Sequence, residues 1–134
     1  MEKLNVQGQC QTVNSDSPTI EIPLPQLPFY GAWSVNGTIL ALNTDALSPP
    51  QNDDSVALLL FISGNSVGGT ALRNDGGTTP YTTYPPTGGL DVSVSVGLGT
   101  LGLTQSLYLT LNNAVEGATV AWGWDLDIHF LTPT

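Results

Sequence analysis

Apolar and polar residues alternate with period two along much of this chain, the pattern of strands with one dry face and one wet face. It is clearest over Leu90–Leu98, where Leu90, Val92, Val94, Val96 and Leu98 alternate with Asp91, Ser93, Ser95 and Gly97. Ser106–Asn112 repeats it, with Leu107, Leu109 and Leu111 on one side and Tyr108 and Thr110 on the other. A longer run, Thr119–Leu131, places Val120, Trp122, Trp124, Leu126, Ile128 and Phe130 on its apolar side. Earlier strands are predicted at Val6–Val13, Thr19–Leu24, Ala32–Leu42, Ser55–Ser63 and Ser66–Leu72. No long stretch sustains a 3.6-residue period, and 15 glycines and 10 prolines interrupt the chain too often for long helices. These features predict one all-β domain over residues 1–134, an antiparallel two-sheet β-sandwich of about eight strands.

Three segments depart from simple alternation. Val56–Ile62 (VALLLFI) is apolar on both faces, so one face needs cover beyond the strand's own core. A second subunit is one source of that cover, which makes Val56, Leu58, Leu59, Leu60 and Phe61 candidate oligomer contacts. The prolines of IPLPQLP, among them Pro23 and Pro25, put that segment at a sheet edge or outside the sheet, against a neighbour or over its own edge. Ser48–Asp54 and the long Arg73–Gly89 read as connections, the second longer than a compact domain keeps without purpose.

Charge narrows the possible functions. Lys3 and Arg73 are the only basic residues against 11 carboxylates, a formal net charge of −9. Nucleic-acid binding requires several cations to displace counterions from phosphates, and anionic membranes require the same; neither partner is expected. No apolar run approaches the roughly 20 residues of a membrane span, and the start of the sequence lacks the apolar core of a secretory signal. Charged residues make up only 10% of the chain, so Ser, Thr, Asn, Gln and Gly must build its surface, as in many extracellular and particle-surface β proteins.

Candidate chemistry is sparse. Asp125, Asp127 and His129 alternate with the apolar positions of the last strand and line its polar face at intervals of about 7 Å. They could ligate a divalent metal with a group from a neighbour, or act as paired acids on a glycoside, or simply be the wet side of a strand. His129 is the only histidine, and no nucleophile elbow, P-loop or dinucleotide fingerprint is present, so no enzymatic activity is expected. Asn52-Asp53-Asp54 and Asn74-Asp75-Gly76 are oxygen-rich, but Asn and Asp favour turns for backbone reasons. Tyr81 and Tyr84 in the long connection, and Trp33, are candidate contact residues for a sugar or protein, while Trp122 and Trp124 are expected in the core. Asn36-Gly37-Thr38 reads as a hairpin turn rather than a glycosylation site. Cys10, alone, is expected to be a small buried hydrophobe rather than an interchain bridge.

The strand pattern resembles the jelly-roll domains of viral capsid, spike and decoration proteins and of some lectins, without a family-specific motif. That resemblance implies a non-enzymatic structural or assembly protein of a virion or extracellular surface. It would act as a homo-oligomer, a trimer or ring, with other assembly proteins or glycans as partners. The alternative is a lectin-like carbohydrate-binding module, with calcium or another divalent metal as its only conceivable cofactor.

Overall fold

The computed structural model describes residues 1–13, 16–24, 30–45, 52–68, 70–74, 80–101, 104–115 and 117–133. These form nine strands: β1 (Glu2–Thr12), β2 (Thr19–Pro23), β3 (Tyr30–Asn43), β4 (Ser55–Val67), β5 (Thr70–Arg73), β6 (Tyr81–Tyr84), β7 (Val92–Leu101), β8 (Thr104–Asn113) and β9 (Val120–Leu131). One short 3-10 turn, Asn52–Asp54, precedes β4. The strands make two antiparallel sheets. The larger has the order β1-β9-β3-β4, with β5 and β6 both on the outer edge of β4; the smaller has the order β2-β8-β7. The last strand inserts between the first and the third, so the C-terminal segment closes the larger sheet.

Alternation sets which residues pack. Val35, Ile39 and Ala41 of β3, Val56, Leu58, Leu60 and Ile62 of β4, and Val120, Trp122, Leu126 and Ile128 of β9 are buried. They share one hydrophobic cluster with Ile22, Val94, Leu107, Leu109 and Leu111 of the smaller sheet. Each Val, Leu or Ile among them contributes about 1.5–3 kcal/mol through removal from water. Polar links tie the sheets together at their ends. The Ala71 amide donates to the Gln105 side-chain carbonyl, the Leu90 amide to the Ser55 carbonyl at 3.2 Å, and the Asn113 side-chain amide to the Ala118 carbonyl at 3.2 Å. The buried indole of Trp122 donates to the hydroxyl of buried Thr12 at 2.9 Å, so this core tryptophan leaves no orphaned donor.

Two expectations are corrected here. Asn36-Gly37 is not a hairpin turn: β3 runs straight through it, with Gly37 opposite Leu60 on one side and Leu126 on the other. Glycine is required there by proximity rather than by a turn, because a Cβ at Gly37 would collide with the backbone carbonyl of Asp125 and lie 2.8 Å from the Cα of Leu126. The stretch Arg73–Gly89 is not a single connection either. Tyr81–Tyr84 forms β6, paired with Ala57–Leu60, because β5 covers only Gly64–Val67 and leaves the rest of the long β4 edge unpaired. Pro25 and residues 46–51 and 75–79, which include Ser48 to Gln51 of the first predicted connection and Asp75-Gly76 of the second oxygen-rich turn, lie outside the described residues.

Candidate functional site

The outward face of the larger sheet carries most of the residues singled out from the sequence, and it divides in two. One half belongs to β1 and β9. Asp125, Asp127 and His129 do share that face, beside Gln7, Asn5 and Lys3 of β1 respectively. The Asn5 side-chain amide donates to Asp125 at 2.6 Å and to Asp127 at 2.8 Å, and so bridges the two carboxylates. Lys3 lies 3.6 Å from Asp127. The Asn5 hydrogen bond above all holds the Asp127 carboxyl below the ordinary aspartate range against the opposing effect of desolvation, with Lys3 and His129 adding weaker favourable charge. A hydrogen-bond donor thus sits between the two oxygens where a cation would have to bind. Among the described residues no group of three His, Cys, Asp or Glu is placed to hold a metal ion.

The other half belongs to β3, β4 and β6, strands that contain no charged residue at all. Here the two-faced run Val56–Ile62 resolves into two roles. Val56, Leu58 and Leu60 point into the chain's own core, which removes them from the list of oligomer contacts. Leu59 and Phe61 point outward and are 44% and 58% exposed. On the neighbouring strand Leu40, opposite Ala57, is 56% exposed and Leu42 is exposed beside it. Tyr84, on the other side of Ala57, extends the same surface. The result is a contiguous apolar patch of Leu40, Leu42, Ala57, Leu59, Phe61 and Tyr84 with no charge among its own strands.

The remaining candidates separate. Tyr81 and Tyr84 do not form one platform: Tyr81 pairs with core-facing Leu60 and packs against the core, whereas Tyr84 pairs with outward-facing Ala57. Trp33 is buried, with its indole donating to the Asn65 carbonyl at 3.2 Å, and offers no surface for a ligand. Trp124 packs only partly against the core. Cys10 is half-buried, and burial raises its thiol pKa. Pro23 closes the short strand β2 at the edge of the smaller sheet.

Two features were missed in the sequence. Ile39-Leu40-Ala41-Leu42 is a second run apolar on both faces, directly beside the first, and its register with Val56–Ile62 creates the patch. Between the two halves of the face, a shallow depression of about 430 Å³ lies over Gly123, lined by Gln7, Gln9, Thr38, Leu40 and Asp125. Compared with known proteins, the chain matches no family model, no curated protein and no solved structure.

Proposed function

We propose that this protein is a non-enzymatic structural subunit that assembles with copies of itself on a particle surface, its two sheets stacked as a β-sandwich. Six strands in one sheet and three in the other depart from the four-and-four division of a jelly roll, so the jelly-roll resemblance serves only as an analogy. The observation that carries the reading is the uncharged apolar half of the outward face. A chain of net charge −9 repels its own copies, and a self-contact must keep carboxylates apart. The β3-β4-β6 patch allows that over its centre, because its strands carry no carboxylate; Asp45, Asp53 and Asp54 lie at their ends and Asp125 and Asp127 on β9. A contiguous exposed apolar patch of this kind marks an interaction site. The reading needs no cofactor, and a trimer or closed ring is the expected assembly. The scarcity of cations argues for an outer position, away from any genome.

The test is a Leu59→Ser/Phe61→Ser double substitution, followed by light scattering and circular dichroism. A lower native mass with an unchanged β spectrum supports the reading. A native mass that the substitution leaves unchanged contradicts it.

A second reading, carbohydrate binding, draws on the depression over Gly123, where the Gln7 and Gln9 amides and the Asp125 carboxylate surround an open floor beside Leu40. A glycan array, run with and without chelator, tests it. Selective binding abolished by Gln7→Ala and Asp125→Ala would favour this reading, and an array without signal would remove it.

A further inference from the structure

Among the described residues the smaller sheet ends in β7, and every other sheet edge carries a feature that discourages strand pairing. β1 begins with Glu2 and Lys3, β2 contains Glu21 and Pro23, β5 ends in Arg73, and β6 is enclosed by Pro80 and Pro85. β7 (VSVSVGLGTL) has neither charge nor proline over its whole length. The direction of the backbone groups that no described strand pairs follows from one bond. The Ala114 amide donates to the Asp91 carbonyl at 3.2 Å, continuing the register in which Val92 faces Asn113. Odd-numbered residues therefore exchange hydrogen bonds with β8, and the N–H and C=O groups of Val94, Val96, Leu98 and Thr100 point away from it. The Val92 amide is already satisfied by the Leu90 carbonyl at 2.9 Å. The inward side chains are incompletely covered as well. Val92, Val96 and Leu98 pack against the core but stay partly exposed, while Leu107, Leu109 and Leu111 of the adjacent strand are fully buried.

We infer that β7 pairs antiparallel with β7 of a second copy about a two-fold axis at Gly97, joining two three-stranded sheets into one. This contact goes beyond the face contact proposed above and uses a different surface. The axis is set by pairing all four outward-facing backbone residues, Val94 with Thr100 and Val96 with Leu98. That register makes roughly eight new backbone hydrogen bonds. It continues the apolar layer from one copy into the next, so that Val96 and Leu98 cover each other. It also suits the charge of the chain: Asp91, the nearest carboxylate in sequence, falls beyond the end of the partner strand, and the two copies of it lie roughly 30 Å or more apart. At the axis Gly97 faces itself across a non-hydrogen-bonded pair, with Cα atoms about 4.5 Å apart. A Cβ built at Gly97 meets nothing within 4 Å in the protomer, so substitutions there probe the contact without disturbing the fold.

The experiment places a cysteine at the axis. Gly97→Cys in a Cys10→Ser background, under mild oxidation, should give a disulfide-linked dimer, because the separation at the axis lies within disulfide range. Ser93→Cys in the same background should not, since its two copies would be about 25 Å apart. Gly97→Asp, which sets two carboxylates against each other, should lower the native mass twofold. Equal crosslinking at both positions, or none at Gly97, overturns the inference. A wild-type chain that stays monomeric alone overturns it too, whatever strand from another protein it captures. If Gly97→Asp leaves the mass unchanged while the Leu59→Ser/Phe61→Ser chain dissociates, the edge pairing fails and the face contact stands. The reverse result upholds the edge and removes the face.

Discussion

Replacing Thr12 with valine tests the junction between the first strand and the core. Valine has nearly the shape of threonine, so the perturbation is one hydroxyl exchanged for one methyl. In the wild type that hydroxyl accepts from the Trp122 indole at 2.9 Å, and both side chains are buried. The variant leaves the indole N–H without an acceptor in a place water does not reach, which costs about 1–3 kcal/mol. For a domain of this size that corresponds to a fall in Tm of roughly 4–12 °C. The assay is urea unfolding at fixed protein concentration, because association would otherwise shift the midpoint. The midpoint should fall with the slope unchanged. Trp122→Phe removes the donor instead, and the double variant should be less destabilised than the sum of the two by about 1 kcal/mol. A Thr12→Val midpoint equal to wild type, or a sum that is simply additive, would refute the claim that this bond anchors the end of β1 on β9.

Gly37→Ala should cost about 3 kcal/mol or more, or prevent folding, because its Cβ would collide with the Asp125 carbonyl; Gly97→Ala, with open space around it, should be near neutral. Comparing the two midpoints in urea checks both. Asn5→Ala should raise the Asp127 pKa toward the ordinary aspartate range, as read by carboxyl-carbon NMR titration. Since the folded-state value is depressed, the stabilisation it brings is present above the unfolded-state pKa and is lost as pH falls through the folded one, so the variant should be less stable than wild type on the neutral side of that window and equal to it in acid. Chelator should leave the native mass unchanged, since Asn5 already bridges Asp125 and Asp127.

Much of the fold was legible because alternation is a direct record of which side of a strand is dry. β8 and β9 could be read to within two residues, since Leu107, Leu109 and Leu111 or Trp122, Leu126 and Ile128 leave no other dry face, while β7 starts two residues later and ends three later than expected. The division of strands between sheets was not legible, because alternation carries no information about neighbours. Tyr81–Tyr84 escaped because four residues without apolar alternation gain strand structure only from the vacant edge of β4. Asn36-Gly37 misled because a glycine selected for close approach to β9 looks the same in sequence as one selected for a turn. The site was legible in half-measure. The two-faced run Val56–Ile62 correctly signalled surplus apolar surface, yet which of its residues were surplus depended on strand orientation. The partner run Leu40–Leu42 became visible only through register. Trp33 shows the reverse error, an aromatic that composition alone could not assign and that lies in the core.

The most direct test of the central claim is the native mass of the wild-type chain across a concentration series, measured by light scattering at low and at high salt. Self-association requires a mass that is a multiple of the 14.0 kDa protomer, with association strengthened by salt as repulsion between the acidic copies is screened. A protomer-sized mass at every concentration and salt level would contradict it.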